Sequence, residues 1–272
     1  MKKLLQLELI KNLSYTNFWV IAGLWAILYV LVMSIICMIN ISLPGIESKP
    51  YLQFPQAWSM GTWIASFFNL LLGILMIVSV CNEFAFKTFR SQMICGLTRN
   101  QLIAGKGLFT ILIAFFSSII VFLVSLVIGI IYTNFGSETS IFENSYLLLV
   151  YFIQALAYMA MGLFIAVIIR NAALSILTFI LYFFPMEFIL RSFLPETVQQ
   201  FFPVKVISNL TPSPDIFQFS SSPQMVTNIN GQISEGPPPV ADLPLNIILI
   251  VSIAYIAIFY AASVMIIKKR NL

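Results

Sequence analysis

The chain has 272 residues, of which 60% are hydrophobic and only 9% are charged. Soluble globular proteins carry about 25% charged residues, so this composition excludes a water-exposed fold and predicts an integral membrane protein. The formal net charge is +4, but the basic residues stand in short clusters at the ends of apolar runs, which argues against a nucleic-acid partner. The chain has no histidine, which excludes histidine-ligated metal sites and histidine general bases, and we expect no metal site.

Six apolar stretches are each long enough to cross the hydrocarbon core, which takes about 20 residues. They cover about residues 18–39, 62–81, 107–132, 145–169, 172–190 and 245–267. The basic segment before the first stretch has no small-residue cleavage site, so the first span is expected to be retained. The sequence therefore predicts an all-α integral membrane protein with six transmembrane helices in a single domain over residues 1–272.

The distribution of basic residues predicts the orientation of these spans. Most of the 14 Lys and Arg residues lie in the N-terminal tail, in segment 82–106, at Arg170 between the fourth and fifth spans, and in the C-terminal tail. The opposite loops hold only Lys49, Arg191 and Lys205 among many acidic residues. Because positively charged loops stay in the cytoplasm, both termini are predicted to be cytoplasmic.

The long outer connection, residues 191–244, has two parts of different composition. Its first part mixes apolar and polar residues between prolines, which predicts short re-entrant helices at the outer interface. Its second part, from Thr211 onward, is rich in Pro, Ser and Gly and predicts an exposed loop.

The spans offer no means of energising transport from within this chain. Glu187, near the outer end of the fifth span, is the one acidic residue close to the membrane interior, and ion-coupled transporters need such groups near the midplane. The stretch AGKG at residues 104–107 lacks the first Gly and the final Ser or Thr of a phosphate-binding loop. Active transport by this chain would need energy from another polypeptide.

Segment 82–106 is the most polar connection, and its pattern predicts a short amphipathic helix over residues 83–95. Asn82 is the expected N-cap, Gly96 the expected stop, and Thr98 to Gln101 a capping box for the next helix. Its apolar stripe consists of Phe86, Phe89 and Met93. The adjoining charged stripe consists of Glu83, Lys87 and Arg90. Such a helix either lies on anionic headgroups or receives a soluble partner.

The same segment resembles the first cytoplasmic connection of ATP-binding cassette (ABC) type-2 exporter permeases. The matching residues are Asn82, Glu83, Thr88, Gly96, Thr98, Arg99, Leu102, Gly105 and Lys106. Leu97 stands where the family usually has Pro before the Ser/Thr-Arg pair. Residues 1–17 are similar to the cytoplasmic interfacial helix that precedes the first span in that family.

The resemblance implies the membrane subunit of an ATP-driven exporter in the bacterial inner membrane. This chain would not itself be an enzyme and would hold no cofactor, because ATP and Mg would bind to two copies of a separate ATPase subunit. A second permease half, as a homodimer or heterodimer, would complete a pathway for a hydrophobic or amphipathic cargo such as a lipid-linked molecule, a peptide antibiotic or a drug. The implied ATPase-coupling residues are Glu83, Phe86, Lys87, Thr88, Phe89, Arg90 and Arg99, and the implied pathway-lining residues are Phe68, Asn69, Tyr182 and Phe183.

Two alternatives come from other classes of protein. The chain could be a non-transporting membrane scaffold or an immunity component that anchors an assembly. A membrane enzyme acting on lipids is disfavoured, because the spans show no clustered carboxylates and no pair of nucleophile and base.

Overall fold

The computed structural model describes residues 2–38, 42–43, 46–47, 49–133, 140–214, 225–227, 233–235 and 243–269. Its principal elements are helices. They are α1 (Lys2–Leu13), α2 (Thr16–Met38), α3 (Gln56–Phe67), α4 (Asn69–Ala85), α5 (Thr88–Ile94), α6 (Arg99–Tyr132), α7 (Tyr146–Ile169), α8 (Ala172–Leu181), α9 (Glu187–Ser192), α10 (Glu196–Gln199), α11 (Pro203–Ser208) and α12 (Leu245–Lys269). A 3₁₀ turn, Lys49–Leu52, precedes α3, and a π-helical turn, Tyr182–Met186, joins α8 to α9.

Two short antiparallel strand pairs lie in the connections. β1 (Ser42–Leu43) pairs with β2 (Ile46–Glu47), with Ser42 opposite Glu47. β3 (Met225–Thr227) pairs with β4 (Ile233–Glu235), with Met225 opposite Glu235. Most of the predicted Pro- and Ser-rich loop around this second pair lies outside the described residues.

Within the described residues, five helical stretches are long and apolar enough to cross a membrane. They are Thr16–Met38, Arg99–Tyr132, Tyr146–Ile169, Ala172–Ser192 and Leu245–Lys269. The predicted second span, residues 62–81, is instead a pair of helices, α3 and α4, bent by 43°. Counting that pair as one crossing brings the number to six.

The bend between α3 and α4 occurs at Phe68. The backbone N–H of Phe68 donates to the carbonyl of Ala65, three residues back, rather than continuing the regular α-helical ladder. This tighter turn changes the direction of the chain without a proline. It also brings the next residue, Asn69, into the protein interior.

The centre of the molecule is α7, which buries most of its length against α4, α6 and α12. Small side chains let the neighbouring helices approach it closely. At Gly162 a Cβ atom would lie 2.6 Å from the carbonyl oxygen of Gly73 on α4. The other four unbroken spans bury only 17–22% of their most apolar stretch, and many of their large apolar side chains are exposed, as in lipid-facing helices.

The predicted short helices of the outer connection are present as α10 and α11. The helix α11 packs against α7 and α12 and buries Val204, Val206 and Ile207. The first part of this connection is therefore a packed part of the fold.

Candidate functional site

The polar segment after α4 differs from the single predicted helix over residues 83–95. The N–H of Phe86 donates to the carbonyl of Asn82 over 2.9 Å, so Asn82 lies in the last turn of α4 and is not an N-cap. Lys87 then takes a left-handed conformation with φ of 55°, and α5 begins at Thr88. The predicted start of the helix at Glu83 is wrong, because the helical hydrogen bonds of α4 continue to Ala85 before the chain turns.

The expected end of this segment is confirmed. Gly96 has φ of +92°, the left-handed region that glycine adopts without steric cost. The N–H of Gln101 donates to Thr98 Oγ1 over 3.3 Å, and the N–H of Thr98 donates to Gln101 Oε1 over 2.9 Å. This capping box begins α6 at Arg99, eight residues before the predicted third span.

The helix α5 is anchored by one aromatic side chain. Phe89 is buried, and its ring centroid lies 4.8 Å from that of Phe84 at the end of α4. Phe86, which the helical wheel placed on the same stripe, is 64% exposed and stacks on Tyr15 because it precedes the break. Arg90 and Ile94 are also exposed, and Ile94 reaches 80%.

Beneath α5 lies a cluster of four charged side chains, which we call the ion cluster: Glu8, Lys11, Glu83 and Lys106. Lys11 Nζ lies 3.0 Å from Glu8 Oε1 and 2.6 Å from Glu83 Oε1. Lys106 Nζ lies 2.7 Å from Glu8 Oε2 and also contacts Glu83 Oε1. The cluster joins α1, α4 and α6, and its two cations balance its two carboxylates.

Polar side chains extend the ion cluster. Ser79 Oγ donates to Asn12 Oδ1, and Lys106 Nζ donates to Ser79 Oγ over 3.0 Å. Asn12 Nδ2 in turn donates to the carbonyl of Glu8 over 2.9 Å. These bonds compensate part of the cost of burying charge.

The lysines set the protonation state of Glu8. Burial by itself raises the pKa of the Glu8 carboxyl, but the positive charges and hydrogen bonds of Lys106 and Lys11 outweigh burial and lower that pKa below its ordinary value of 4.5. Gly105 favours the close approach of Glu8 to α6, since a Cβ atom at this position would lie 3.3 Å from Glu8 Cγ.

A second feature at this end is a cationic groove of about 340 Å³ between α5 and the turn that joins α7 to α8. Arg170 forms that turn in a left-handed conformation, and its guanidinium carbon lies 4.9 Å from the centroid of the Phe84 ring. The groove is lined by Glu83, Phe84, Ala85, Lys87, Phe89, Arg90 and Arg170.

The remaining predicted coupling residues have structural contacts. Thr88 Oγ1 donates to the carbonyl of Glu83 over 3.3 Å. Arg99 Nη1 donates to the carbonyl of Lys268 over 2.6 Å and to that of Ile267 over 3.3 Å, at the C-terminal end of α12. A cation in this position complements the dipole of that helix. The role of these residues in coupling to an ATPase subunit stays a prediction.

The four predicted pathway residues occupy two places. Phe68, half-buried, marks the bend, and Asn69 is fully buried, receiving a hydrogen bond of 3.0 Å from Tyr151 Oη and donating one of 3.3 Å to Gln154. Tyr182 and Phe183 lie in the π-helical turn, where the Phe183 ring packs 5.0 Å from that of Tyr158. Their role in a pathway stays a prediction.

Glu187 has a structural partner that the sequence did not indicate. Its carboxylate accepts the backbone N–H groups of Val204 over 2.8 Å and Lys205 over 2.7 Å, at the start of α11. The side chain is buried, and it ties the helical stretch Ala172–Ser192 to the start of α11.

Sequence reasoning identified Glu83 but missed its partners in the ion cluster. The spacing of Glu8 and Lys11 is a local signal, since residues three apart meet on a helix. No local signal pairs them with Glu83 or Lys106. Within the described residues, no group of three or more metal-ligating side chains could hold a metal ion.

Comparison with models of known protein families and with curated proteins finds no match for this chain.

Proposed function

We propose that this chain is the membrane subunit of an ATP-driven exporter of the ABC type-2 class, which binds a separate ATPase subunit through α5. The observation that carries the proposal is the way α5 packs on the rest of the chain. Its aromatic anchor, Phe89, is buried inside the protein, while Arg90 and Ile94 are exposed beside it.

This arrangement argues against a helix that merely lies on lipid headgroups. Such a helix buries its apolar face in the bilayer. Here the apolar anchor packs on Phe84 of the same chain, so the bilayer is not needed to cover it. In this proposal the exposed Ile94 and the neighbouring Arg90 belong to the surface that binds the partner, and arginine is enriched in such interfaces.

The ion cluster gives α5 a firm support. Glu83 lies shortly before α5 and contacts Lys11 and Lys106, so in this proposal a movement of α5 would be passed to α1 and α6. In this proposal Glu83 supports the coupling helix from within, and Arg90 and Ile94 form its accessible surface. ATP-driven movement of the ATPase subunits would thereby shift the spans.

The position of the basic segments supports cytoplasmic termini. Lys11 in the N-terminal helix meets Glu83, and Arg99 meets the backbone of Lys268 near the C-terminus. Arg170 stacks on Phe84, which brings the turn between α7 and α8 to the same end. Clustering of positively charged segments at one end agrees with the cytoplasmic side in a bacterial inner membrane.

One chain would supply half of the pathway. With α3 and α4 counted as one crossing, six spans would pair with those of a second, identical or related chain. Aromatic residues near the π-helical turn, such as Tyr182 and Phe183, would then suit a hydrophobic or amphipathic cargo.

The proposal is tested by co-expressing the tagged chain with an ABC-type ATPase encoded beside it. The purified complex is reconstituted in lipid nanodiscs, and bound ATPase and ATP hydrolysis are measured. We expect the double variant Arg90→Ala/Ile94→Ala to bind the ATPase subunit at least about tenfold more weakly than the wild type. This is the loss expected when two interface residues each contribute about 1 kcal/mol or more. Lys269→Ala, an exposed residue at the same end, is the matched control and should bind normally.

Failure of the wild-type chain to bind any such ATPase would overturn the proposal, as would normal binding by the double variant. Binding of the ATPase without ATP-dependent movement of any cargo would favour the alternative of a membrane scaffold.

A further inference from the structure

The cationic groove lies where two apolar helices turn. Only Arg170 and Asn171 separate α7 from α8. A turn this short cannot project far from the bilayer, so Arg170 stands at the boundary of the hydrocarbon layer. The phosphates of the lipids lie at this level.

The charge of the groove favours an anion. Lys87, Arg90 and Arg170 contribute three cations to its lining. Among the lining residues that the structure describes, the one carboxylate is that of Glu83, and Lys11 and Lys106 contact it in the ion cluster. The groove therefore presents an excess of positive charge.

Exposed apolar side chains lie on the two helices that the turn joins. Ile168 precedes the turn, and Leu174 and Leu177 follow it on one face of α8; all three are exposed. Phe84 lies half-buried in the groove under Arg170. Cations that can bind a phosphate and nearby exposed apolar side chains match the headgroup and the acyl chains of a phospholipid.

We propose that this groove binds the phosphate of an anionic phospholipid from the adjacent leaflet, with its acyl chains along α8. Lys87 and Arg170, which both line the groove, are the principal phosphate ligands. The site shares Arg90 with the proposed ATPase surface, whereas Lys87 and Arg170 belong to the groove alone and Ile94 does not line it.

The test measures lipid binding to the detergent-purified chain by native mass spectrometry. The probe is an equimolar mixture of phosphatidylglycerol and phosphatidylcholine with identical acyl chains. We expect the wild type to prefer phosphatidylglycerol. Each cation removed should weaken that binding about fivefold, so Lys87→Gln loses about fivefold and Lys87→Gln/Arg170→Gln about twenty-five-fold.

Lys268→Gln/Lys269→Gln is the matched control, because it removes the same charge from exposed residues at the same end and should bind phosphatidylglycerol normally. Unfolding midpoints in phosphatidylcholine alone show whether Arg170→Gln still folds. Lys87→Gln keeps the stacking of Arg170 on Phe84 and tests the site even if Arg170→Gln does not fold. Arg170→Lys, which keeps the charge, should retain the lipid preference.

The proposal is overturned if Lys87→Gln and the control double variant bind phosphatidylglycerol equally. Release of the lipid by about 10 mM inorganic phosphate would overturn it in favour of a soluble anion. Loss of ATPase binding by Lys87→Gln, with phosphatidylglycerol binding intact, would assign the groove to a protein partner instead. Normal ATPase binding by Lys87→Gln, together with weakened phosphatidylglycerol binding, supports the lipid site. In Arg90→Ala/Ile94→Ala the bound ATPase reports on the proposed function, and the lipid site is judged from Lys87→Gln and Arg170→Gln because Arg90 also lines the groove.

Discussion

Lys11 Nζ lies 2.6 Å from Glu83 Oε1, although the two residues belong to α1 and α4. The carboxylate also contacts Lys106 of α6, and its side chain is only 1% exposed. A single acidic residue thus holds three helices together at the end of the molecule that carries α5.

Replacing Glu83 tests the ion cluster. In Glu83→Ala, Lys11 and Lys106 lose a shared anion while staying largely buried. We expect the free energy of unfolding in detergent micelles to fall by about 3–5 kcal/mol, the usual cost of breaking a buried ion pair. Glu143→Ala, at an exposed position, should change it by less than about 0.5 kcal/mol.

The charge balance provides a second check on the same residue. Glu83→Gln/Lys11→Gln removes one charge of each sign and leaves Glu8 with Lys106. We expect this double variant to be more stable than Glu83→Gln alone, because no excess cation remains buried. Equal or lower stability of the double variant would show that charge balance does not govern this cluster.

Acid should weaken the folded state through Glu8. The pKa of its carboxyl is lowered on folding, so its ionised form contributes stability in full above pH 4.5, and this contribution is lost as the pH falls through the lowered pKa. Chemical unfolding at a series of pH values should show the difference in stability between the wild type and Glu8→Gln shrinking below about pH 4.5. A difference that stays constant down to about pH 2 would contradict the assigned charge state.

The contact between α4 and α7 depends on glycine. A Cβ atom at Gly162 would meet the Gly73 carbonyl oxygen at 2.6 Å, and a backbone atom cannot rotate away. We expect Gly162→Ala to lower the free energy of unfolding by about 1–3 kcal/mol, as overpacking does. Gly23→Ala in α2 is the control, since no atom lies within 4 Å of the added Cβ, and it should be neutral or stabilising by up to about 1 kcal/mol.

Glu187 should hold α11 in place. Glu187→Ala leaves the N–H groups of Val204 and Lys205 without this carboxylate, whereas Glu187→Gln keeps one acceptor oxygen. We expect hydrogen exchange at residues 203–208 to accelerate by about one to two orders of magnitude in Glu187→Ala, and by less in Glu187→Gln. Exchange that is unchanged in Glu187→Ala would show that apolar packing alone fixes this helix.

Local features of the polar segment could be predicted from the sequence because they depend on near neighbours. The capping box of Thr98 and Gln101 and the turn at Gly96 each involve residues within a few positions of one another. The break at Phe86 and Lys87 could not be predicted in this way. Helical periodicity runs through it, whereas the break depends on tertiary contacts such as the packing of Phe89 onto Phe84.

The sequence by itself determined the class of the molecule: an apolar composition and long hydrophobic runs require helices that satisfy their own backbone hydrogen bonds. Only the tertiary structure decided which polar residues turn inward. Glu8, Glu83 and Lys106 are far apart in the chain, and each alone resembles an ordinary charge at a helix end. They can be buried only where three helices meet and each charge finds its partner, and that meeting point depends on packing across the whole fold.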